Sequence, residues 1–221
     1  MIKGSSIARK FATAYPVVLL ARNASNYEAT VSEINSTGGN AIGISADLSD
    51  SKSLSSAFEK IGQEFAGLPL AAAVFNSGGG FIRKPFLELT EDEYVGALNG
   101  QARGGFLFSQ ATLPLLLKGA SSSLDHPPTL IFTGATASIK GSANFAPFAS
   151  GKFALRALSQ SLAREFGPKG IHISHAILDG VINIPRTKGF GLAEEQMLNP
   201  ESVSQFSVFV MFHSFHDRSS N

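Results

Sequence analysis

Residues 70–80 read Leu-Ala-Ala-Ala-Val-Phe-Asn-Ser-Gly-Gly-Gly, an apolar run followed by an amide, a hydroxyl and three glycines. A short, continuously apolar run that ends in turn residues is typical of a strand buried on both faces of a sheet. Glycines directly after such a strand let the backbone approach a bulky, planar ligand. This stretch therefore predicts a buried strand whose carboxyl end faces a ligand.

The same pattern recurs on both sides of this stretch. Strand patterns at 16–21, 41–46, 129–133 and 171–178 alternate with segments that have the apolar spacing of helices. The longest helical patterns cover 91–117 and 149–166. Because buried strands that alternate with helices form a parallel sheet covered on both faces, we expect a doubly wound, three-layer α/β fold of the Rossmann type.

Polar groups and glycines collect where the predicted strands end. In open parallel sheets, ligands bind outside the carboxyl ends of the strands. A carboxylate there accepts a hydrogen bond from an amino group of a ligand, and an arginine pairs with a phosphate. The segments at these ends are Arg22-Asn23, Asp47-Leu48, Asn76-Ser77-Gly78, Ala135-Thr136 and Asp179-Gly180.

The bulk composition excludes several classes of function. The 221 residues carry a formal net charge of +1, which offers no electrostatic footprint for nucleic acid. No apolar run is long enough to span a bilayer, and the absence of cysteine excludes disulfides and thiolate zinc sites. We expect no metal site and a cytoplasmic location; a mitochondrial one, suggested by the basic opening residues 1–12, is the alternative.

These segments resemble the motifs of the short-chain dehydrogenase/reductase family over roughly residues 4–187. The resemblance implies a dinucleotide-binding fold and hydride transfer between a nicotinamide and a carbonyl or alcohol of a small molecule. It also implies a homodimer or homotetramer built on the helices at 91–117 and 149–166. It rests on Ser5-Ser-Ile-Ala-Arg9, Asp47-Leu48, Asn76-Ser-Gly-Gly79, Lys152 and Asp179-Gly180.

The resemblance assigns a set of cofactor-binding residues. It implies that Asp47 binds the adenine amino group, that Asn76 binds the adenosine side, and that Lys152 binds the nicotinamide ribose. Arg22 favours NADP over NAD, because an arginine at the end of that strand pairs with a 2′-phosphate. The full set is Gly4, Ser5, Arg22, Asn23, Asp47, Leu48, Asn76, Ser77, Gly78, Lys152, Asp179 and Gly180.

The predicted catalytic positions depart from the family. A Tyr-x-x-x-Lys pair places a phenol beside an ammonium, which lowers the phenol pKa from about 10 and makes it an acid or base near neutral pH. Here Phe148 stands four residues before Lys152 and has no proton to give. The family's serine falls on Ala135, beside the hydroxyl of Thr136, and its asparagine falls on or next to Gln101.

The resemblance also implies that the fold lacks its first and last strands. The match to the family's phosphate-binding glycines begins only at the last of them, Gly4. We therefore expect a truncated dinucleotide-binding domain at 1–190 and a divergent helix or tail at 191–221. The absent first strand would lie at the centre of the sheet. Since unpaired buried backbone groups cost about 1–3 kcal/mol each, we expect poor folding, or repair by another segment.

Three functions remain open from the sequence. The first is an atypical NADP-dependent reductase that uses Lys152 with water or the Thr136 hydroxyl as a substitute acid. The second is a non-catalytic dinucleotide-binding or interaction protein, and the third is a truncated, inactive isoform. In any of them, Phe81, Phe145 and Phe148 are candidate walls of an apolar substrate pocket.

Overall fold

A computed structural model of the protein describes residues 3–76, 81–122, 124, 126–190 and 192–212. Helices and strands alternate along the chain, as the sequence predicts. The strands are β1 (Val17–Ala21), β2 (Ala41–Ser45), β3 (Ala72–Phe75), β4 (Thr129–Thr133) and β5 (His172–Ala176). The helices are α1 (Lys3–Phe11), α2 (Glu28–Ser36), α3 (Ser51–Glu64), α4 (Glu91–Leu98), α5 (Gly104–Ala120), α6 (Ala146–Phe166) and α7 (Pro200–Phe212).

Every strand pair is parallel, which confirms the predicted doubly wound α/β architecture. Strand β1 pairs with β2, and β3, β4 and β5 pair in that order. Among the described residues no strand lies between β1 and β3. Helix α1 instead packs against both edges, because the buried side chains of Ile7 and Phe11 contact Val17, Ala72 and Val74. Apolar side-chain contacts, rather than backbone pairing, thus join the two parts of the sheet.

The main core surrounds β4, the middle strand of the three-stranded part. Leu130 and Phe132 are completely buried, which explains why this strand carries a continuous apolar run. The Phe75 ring lies 6.2 Å from that of Phe132 and 5.5 Å from that of Phe108 on α5. These contacts cover β3 and β4 with α5 and fix the strand ends that carry the site.

The long helical stretch predicted at 91–117 is present, but a π-helical turn divides it near its centre. Helix α4 begins at a capping box in which Thr90 and Glu93 exchange hydrogen bonds, and it stops at Leu98. A π-helical turn, Asn99–Arg103, then leads into α5. Glycines near this turn weaken the regular helix, and π-turns of this kind are frequent at functional sites. The turn carries Gln101, one of the predicted catalytic positions.

The segment after β5 returns to α1. Ile182 forms a parallel bridge with Leu198, and the buried Thr187 hydroxyl donates to the Ile182 carbonyl oxygen. Helix α7 follows, consistent with the helix expected in the C-terminal segment, and packs against α1. In the described part of the chain no helix has the length and apolar character needed to cross a membrane.

Candidate active site

Lys152 lies at the carboxyl end of β4. It is in the second turn of α6, only 4% of its surface is exposed, and its Nζ donates a 2.7 Å hydrogen bond to the carbonyl oxygen of Thr133. A buried ammonium needs such partners, because burying an unpaired charge is costly. The helix therefore delivers a positive charge to the strand end where the predicted ligand would sit.

Phe148 precedes Lys152 by one helical turn and lies beside it. The centroid of the Phe148 ring is 5.9 Å from the Lys152 Nζ. The rings of Phe81 and Phe148 meet edge to face at 5.2 Å, and those of Phe81 and Phe145 lie 5.7 Å apart. These three rings, which we call the aromatic cluster, form an apolar wall where the family motif would provide a phenol.

Two hydroxyl groups follow β4, and they point to different partners. Ser138 is fully buried, and its Oγ accepts a hydrogen bond from the Ala135 amide, so it holds the loop. Thr136 is partly exposed, and its Oγ1 donates a 2.5 Å hydrogen bond to the Asp179 carboxylate. Asp179 follows β5. Thr136 is therefore the hydroxyl held at the edge of the sheet.

The turn after Asp179 depends on a glycine. Gly180 has a φ of 156°, and a Cβ built there would lie 3.0 Å from the Leu198 side chain. Leu198 belongs to the bridge with Ile182, which fixes the segment beyond the turn. Asp179 and Gly180 thus form a close turn, and Asp179 is oriented by Thr136.

Gln101 lies directly against the helix that carries Lys152. It is fully buried, and its Cβ and Cγ lie 2.9 Å from where a Cβ at Gly151 would be. A larger residue at 151 would therefore collide with Gln101. The π-turn and Gly151 together bring this predicted position next to Lys152.

His175 is a half-buried residue with buried ring nitrogens that the sequence does not single out. It lies opposite Phe132 in the register of β4 and β5, and its ring leaves no room for a side chain at Gly134. Neither ring nitrogen has a hydrogen-bond partner among the described residues. Burial and, to a smaller extent, the charges of Lys152 and Arg156 together lower its pKa from 6.5 to about 4. A neutral imidazole therefore lies behind the loop that follows β4.

We expect the free energy of unfolding to fall as the pH decreases from about 6.5 to about 4. The pKa of His175 is about 4 in the folded protein and 6.5 when the chain is unfolded, so the unfolded state binds the proton first. This stabilisation is complete above pH 6.5 and is lost as the pH falls toward 4. Urea unfolding at several pH values would measure it. His175→Gln should show a shallower decline, and identical slopes for both proteins would contradict the assignment.

The predicted adenosine end contains an ordered carboxylate. Asp47 Oδ1 accepts hydrogen bonds from the amide of Ser49 at 2.9 Å and from its hydroxyl at 2.7 Å. These bonds lower the pKa of Asp47, and the positive charges of Arg22 and Arg103 lower it further. Arg22 is exposed directly after β1. The carboxylate is therefore ionised and held in place.

Two uncharged residues, Asn23 and Leu48, shape the surface around this carboxylate. The Asn23 carbonyl oxygen accepts a 3.0 Å bond from the amide of Asn26 and so opens a short helical turn. Leu48 is half-buried and packs against the main core. Both predicted positions thus lie beside Arg22 and Asp47 in the fold.

The first turn of α1 lies next to Asn76. The amides of Gly4 and Ser5 fall in this first turn, where helix amides have no partner within the helix and can bind an anion. The Ser5 hydroxyl is already bonded to Thr30, but the buried Ser6 Oγ has no hydrogen-bond partner among the described residues. The Asn76 Nδ2 lies 3.8 Å from where a Cβ at Gly4 would be.

These donors suit the phosphates of a dinucleotide. An unpartnered buried hydroxyl and first-turn amides both favour an anionic ligand at this helix end. The groups at the other strand ends offer an ionised carboxylate and an exposed arginine. Ser77 and Gly78 are outside the described residues.

The parallel fold and the polar groups along one edge of its sheet define an α/β protein of the dinucleotide-binding class. A model of the short chain dehydrogenase family matches residues 4–191. The chain belongs to this family of oxidoreductases, which use nicotinamide cofactors. A short-chain dehydrogenase from Rhodopseudomonas palustris is 30% identical, with a TM-score of 0.76 over 94% of this chain and 85% of that one.

Two further solved structures share the fold at lower identity. A metagenomic short-chain oxidoreductase in complex with NADP is 19% identical, with a TM-score of 0.77 over 96% of this chain and 86% of that one. The NADH-dependent reductase A1-R′, responsible for alginate metabolism, is 17% identical, with a TM-score of 0.82 over 96% and 85%. Proteins of this fold therefore include users of either nicotinamide cofactor.

Proposed function

We propose that the protein is an NADP(H)-dependent oxidoreductase that interconverts a carbonyl and an alcohol on a small, apolar molecule. The observation that carries this proposal is the position of Lys152, buried at the end of β4 and bonded to the Thr133 carbonyl oxygen. When bound, the nicotinamide gives or accepts the hydride. The ammonium of Lys152 would hold the neighbouring ribose hydroxyls and so orient the cofactor.

The proton of the reaction is handled by Thr136 and Asp179. Phe148 has no exchangeable proton, whereas the Thr136 hydroxyl is partly exposed and donates to the Asp179 carboxylate. In alcohol oxidation the substrate hydroxyl passes its proton to Thr136 Oγ1 as the Thr136 proton moves to Asp179. In carbonyl reduction both transfers run in reverse, and no charge is left on the threonine oxygen.

The aromatic cluster forms the substrate side of the site. Its rings present carbon surface, and Phe81 is 40% exposed, so a ligand can reach it. An apolar carbonyl compound gains from burial against these rings, whereas a strongly charged substrate finds no partner on them.

Phe148 also favours a second function. Without the phenol and with Ala135 at the serine position, the site keeps groups that bind a dinucleotide but loses two that polarise a carbonyl. A non-catalytic NADP-binding protein would retain cofactor affinity and show no turnover. Self-association through α5 and α6, where Phe106 and Phe153 are exposed, fits either function.

We expect NADPH to bind more tightly than NADH, and Arg22→Ala to remove most of this preference. A hydrogen-bonded charge pair with the 2′-phosphate contributes about 1.5–3 kcal/mol, so NADPH affinity should fall about tenfold to a hundredfold while NADH affinity stays the same. Fluorescence titration and thermal shift with both cofactors measure this. Arg164→Ala, an exposed arginine on α6, is the matched control. No binding of either cofactor to the wild-type protein would contradict the proposed function.

A further inference from the structure

The residue after Arg103 packs against the residue after Asp47, although the two segments are far apart in the sequence. Arg103 is exposed at the end of the π-turn, and the next residue, Gly104, is buried. A Cβ built at Gly104 would lie 3.4 Å from the carbonyl oxygen of Leu48, the residue after Asp47. The start of α5 is therefore packed directly against the loop that holds the carboxylate.

Two arginines act on this one carboxylate from different elements. Arg22 follows β1, whose last residue pairs with the end of β2, and Arg103 comes from the helical side. The charges of both lower the pKa of Asp47. Neither arginine forms a salt bridge within 4.0 Å to a carboxylate among the described residues. Both guanidinium groups therefore remain available to a ligand that binds at Asp47.

The two carboxylate oxygens of Asp47 differ in their hydrogen bonding. Oδ1 accepts both hydrogen bonds from Ser49, whereas Oδ2 accepts none from any described residue. An adenine whose amino group donates to Oδ2 would sit beside the loop at Leu48, within reach of Arg103. A guanidinium plane stacks well on an aromatic base, and the attraction grows where water is excluded.

We propose that Arg103 binds the adenine ring of the cofactor and so contributes affinity that does not depend on the 2′-phosphate. This rests on the proposed function, because it takes a dinucleotide as the ligand. Arg22 then selects the 2′-phosphate and Arg103 binds the base. Each arginine serves a different chemical group at the same end of the site.

The test separates the two arginines by ligand. Binding constants of NADPH, NADH, 2′,5′-ADP and 5′-AMP are measured by calorimetry for the wild type, Arg103→Ala and Arg22→Ala. Arg103→Ala should weaken all four ligands by a similar factor, about threefold to thirtyfold, and leave the NADPH to NADH ratio unchanged. Arg103→Lys, which keeps the charge but loses the plane, should recover only part of the affinity.

Several outcomes would overturn this inference. Unchanged affinity of Arg103→Ala for all four ligands would exclude contact with the cofactor. A loss confined to NADPH and 2′,5′-ADP would make Arg103 a phosphate ligand instead. Both results leave NADPH binding to the wild type intact, so they differ from a failure of the proposed function, in which the wild type binds no dinucleotide. Thermal unfolding of each variant, with Arg164→Ala alongside, confirms that the exposed substitutions leave the fold intact.

Discussion

Phe148→Tyr is expected to raise the rate of NADPH-dependent carbonyl reduction by about two to four orders of magnitude, the usual contribution of a positioned general acid. The added oxygen extends a ring whose centroid already lies 5.9 Å from the Lys152 ammonium. The neighbouring positive charge lowers the pKa of a phenol at this position below about 10 and so makes it a usable acid near neutral pH. Reduction of a panel of aromatic and aliphatic aldehydes and ketones, followed by NADPH absorbance, measures the gain.

The neighbouring ring provides the matched control for this substitution. Phe145→Tyr adds the same oxygen to the aromatic cluster, but on a ring next to Arg83 rather than Lys152. It should give no comparable gain in rate, because the new hydroxyl is not beside the Lys152 ammonium. Ala135→Ser, combined with Phe148→Tyr, should add a further gain because the serine hydroxyl would polarise the carbonyl. Failure of both the single and the double variant to gain activity, together with no turnover by the wild type, would contradict a hydride-transfer site and favour a binding protein.

Lys152→Met is expected to weaken NADPH binding about tenfold to a hundredfold and to abolish any turnover. Methionine keeps most of the length and the apolar stem but removes the ammonium, and hydrogen bonds from a charged donor contribute about 1.5–3 kcal/mol each. Calorimetry and thermal shift with NADPH measure the loss. Lys140→Met, at an exposed lysine outside the site, should bind like the wild type.

Lys152→Met should also change the pKa of His175. The charge of Lys152 is one of the causes that lower the pKa of His175, so removing it should raise that pKa from about 4 toward 6.5. A histidine titration followed by NMR measures this shift without any cofactor. Wild-type NADPH affinity together with a raised His175 pKa would exclude Lys152 as a cofactor ligand while confirming its position.

The alternating strands and helices were predictable from the sequence, because a strand such as β4 is buried on both faces and leaves a run of apolar residues. The π-turn was not, since the sequence around Gln101 keeps the spacing of one continuous helix. In the fold this turn packs Gln101 against Gly151, a contact between distant segments. Local pattern therefore indicates where helices occur but not where tertiary contacts interrupt them.

The candidate site could likewise be predicted only in part from the sequence. Lys152, Asp47 and Asn76 follow recognisable motifs, and the structure places each at the carboxyl edge of the sheet or beside it. His175 and Arg103 carry no motif, because their roles arise from neighbours that the chain supplies elsewhere: Gly134 for the imidazole, and Leu48 through Gly104 for the arginine. The bond between Thr136 and Asp179 likewise joins two loops that only the pairing of β4 with β5 brings together.

The divided sheet gives a bound dinucleotide a mechanical role. Backbone hydrogen bonds join β1 to β2, and β3 to β4 to β5, whereas no such strand pairing joins the two portions in the described part of the chain. Packing by α1 and the core connects them. Arg22 and Asp47 belong to the first portion, and Lys152 and Asp179 to the second. A ligand that contacts both portions would connect them, so that its binding raises the free energy of unfolding.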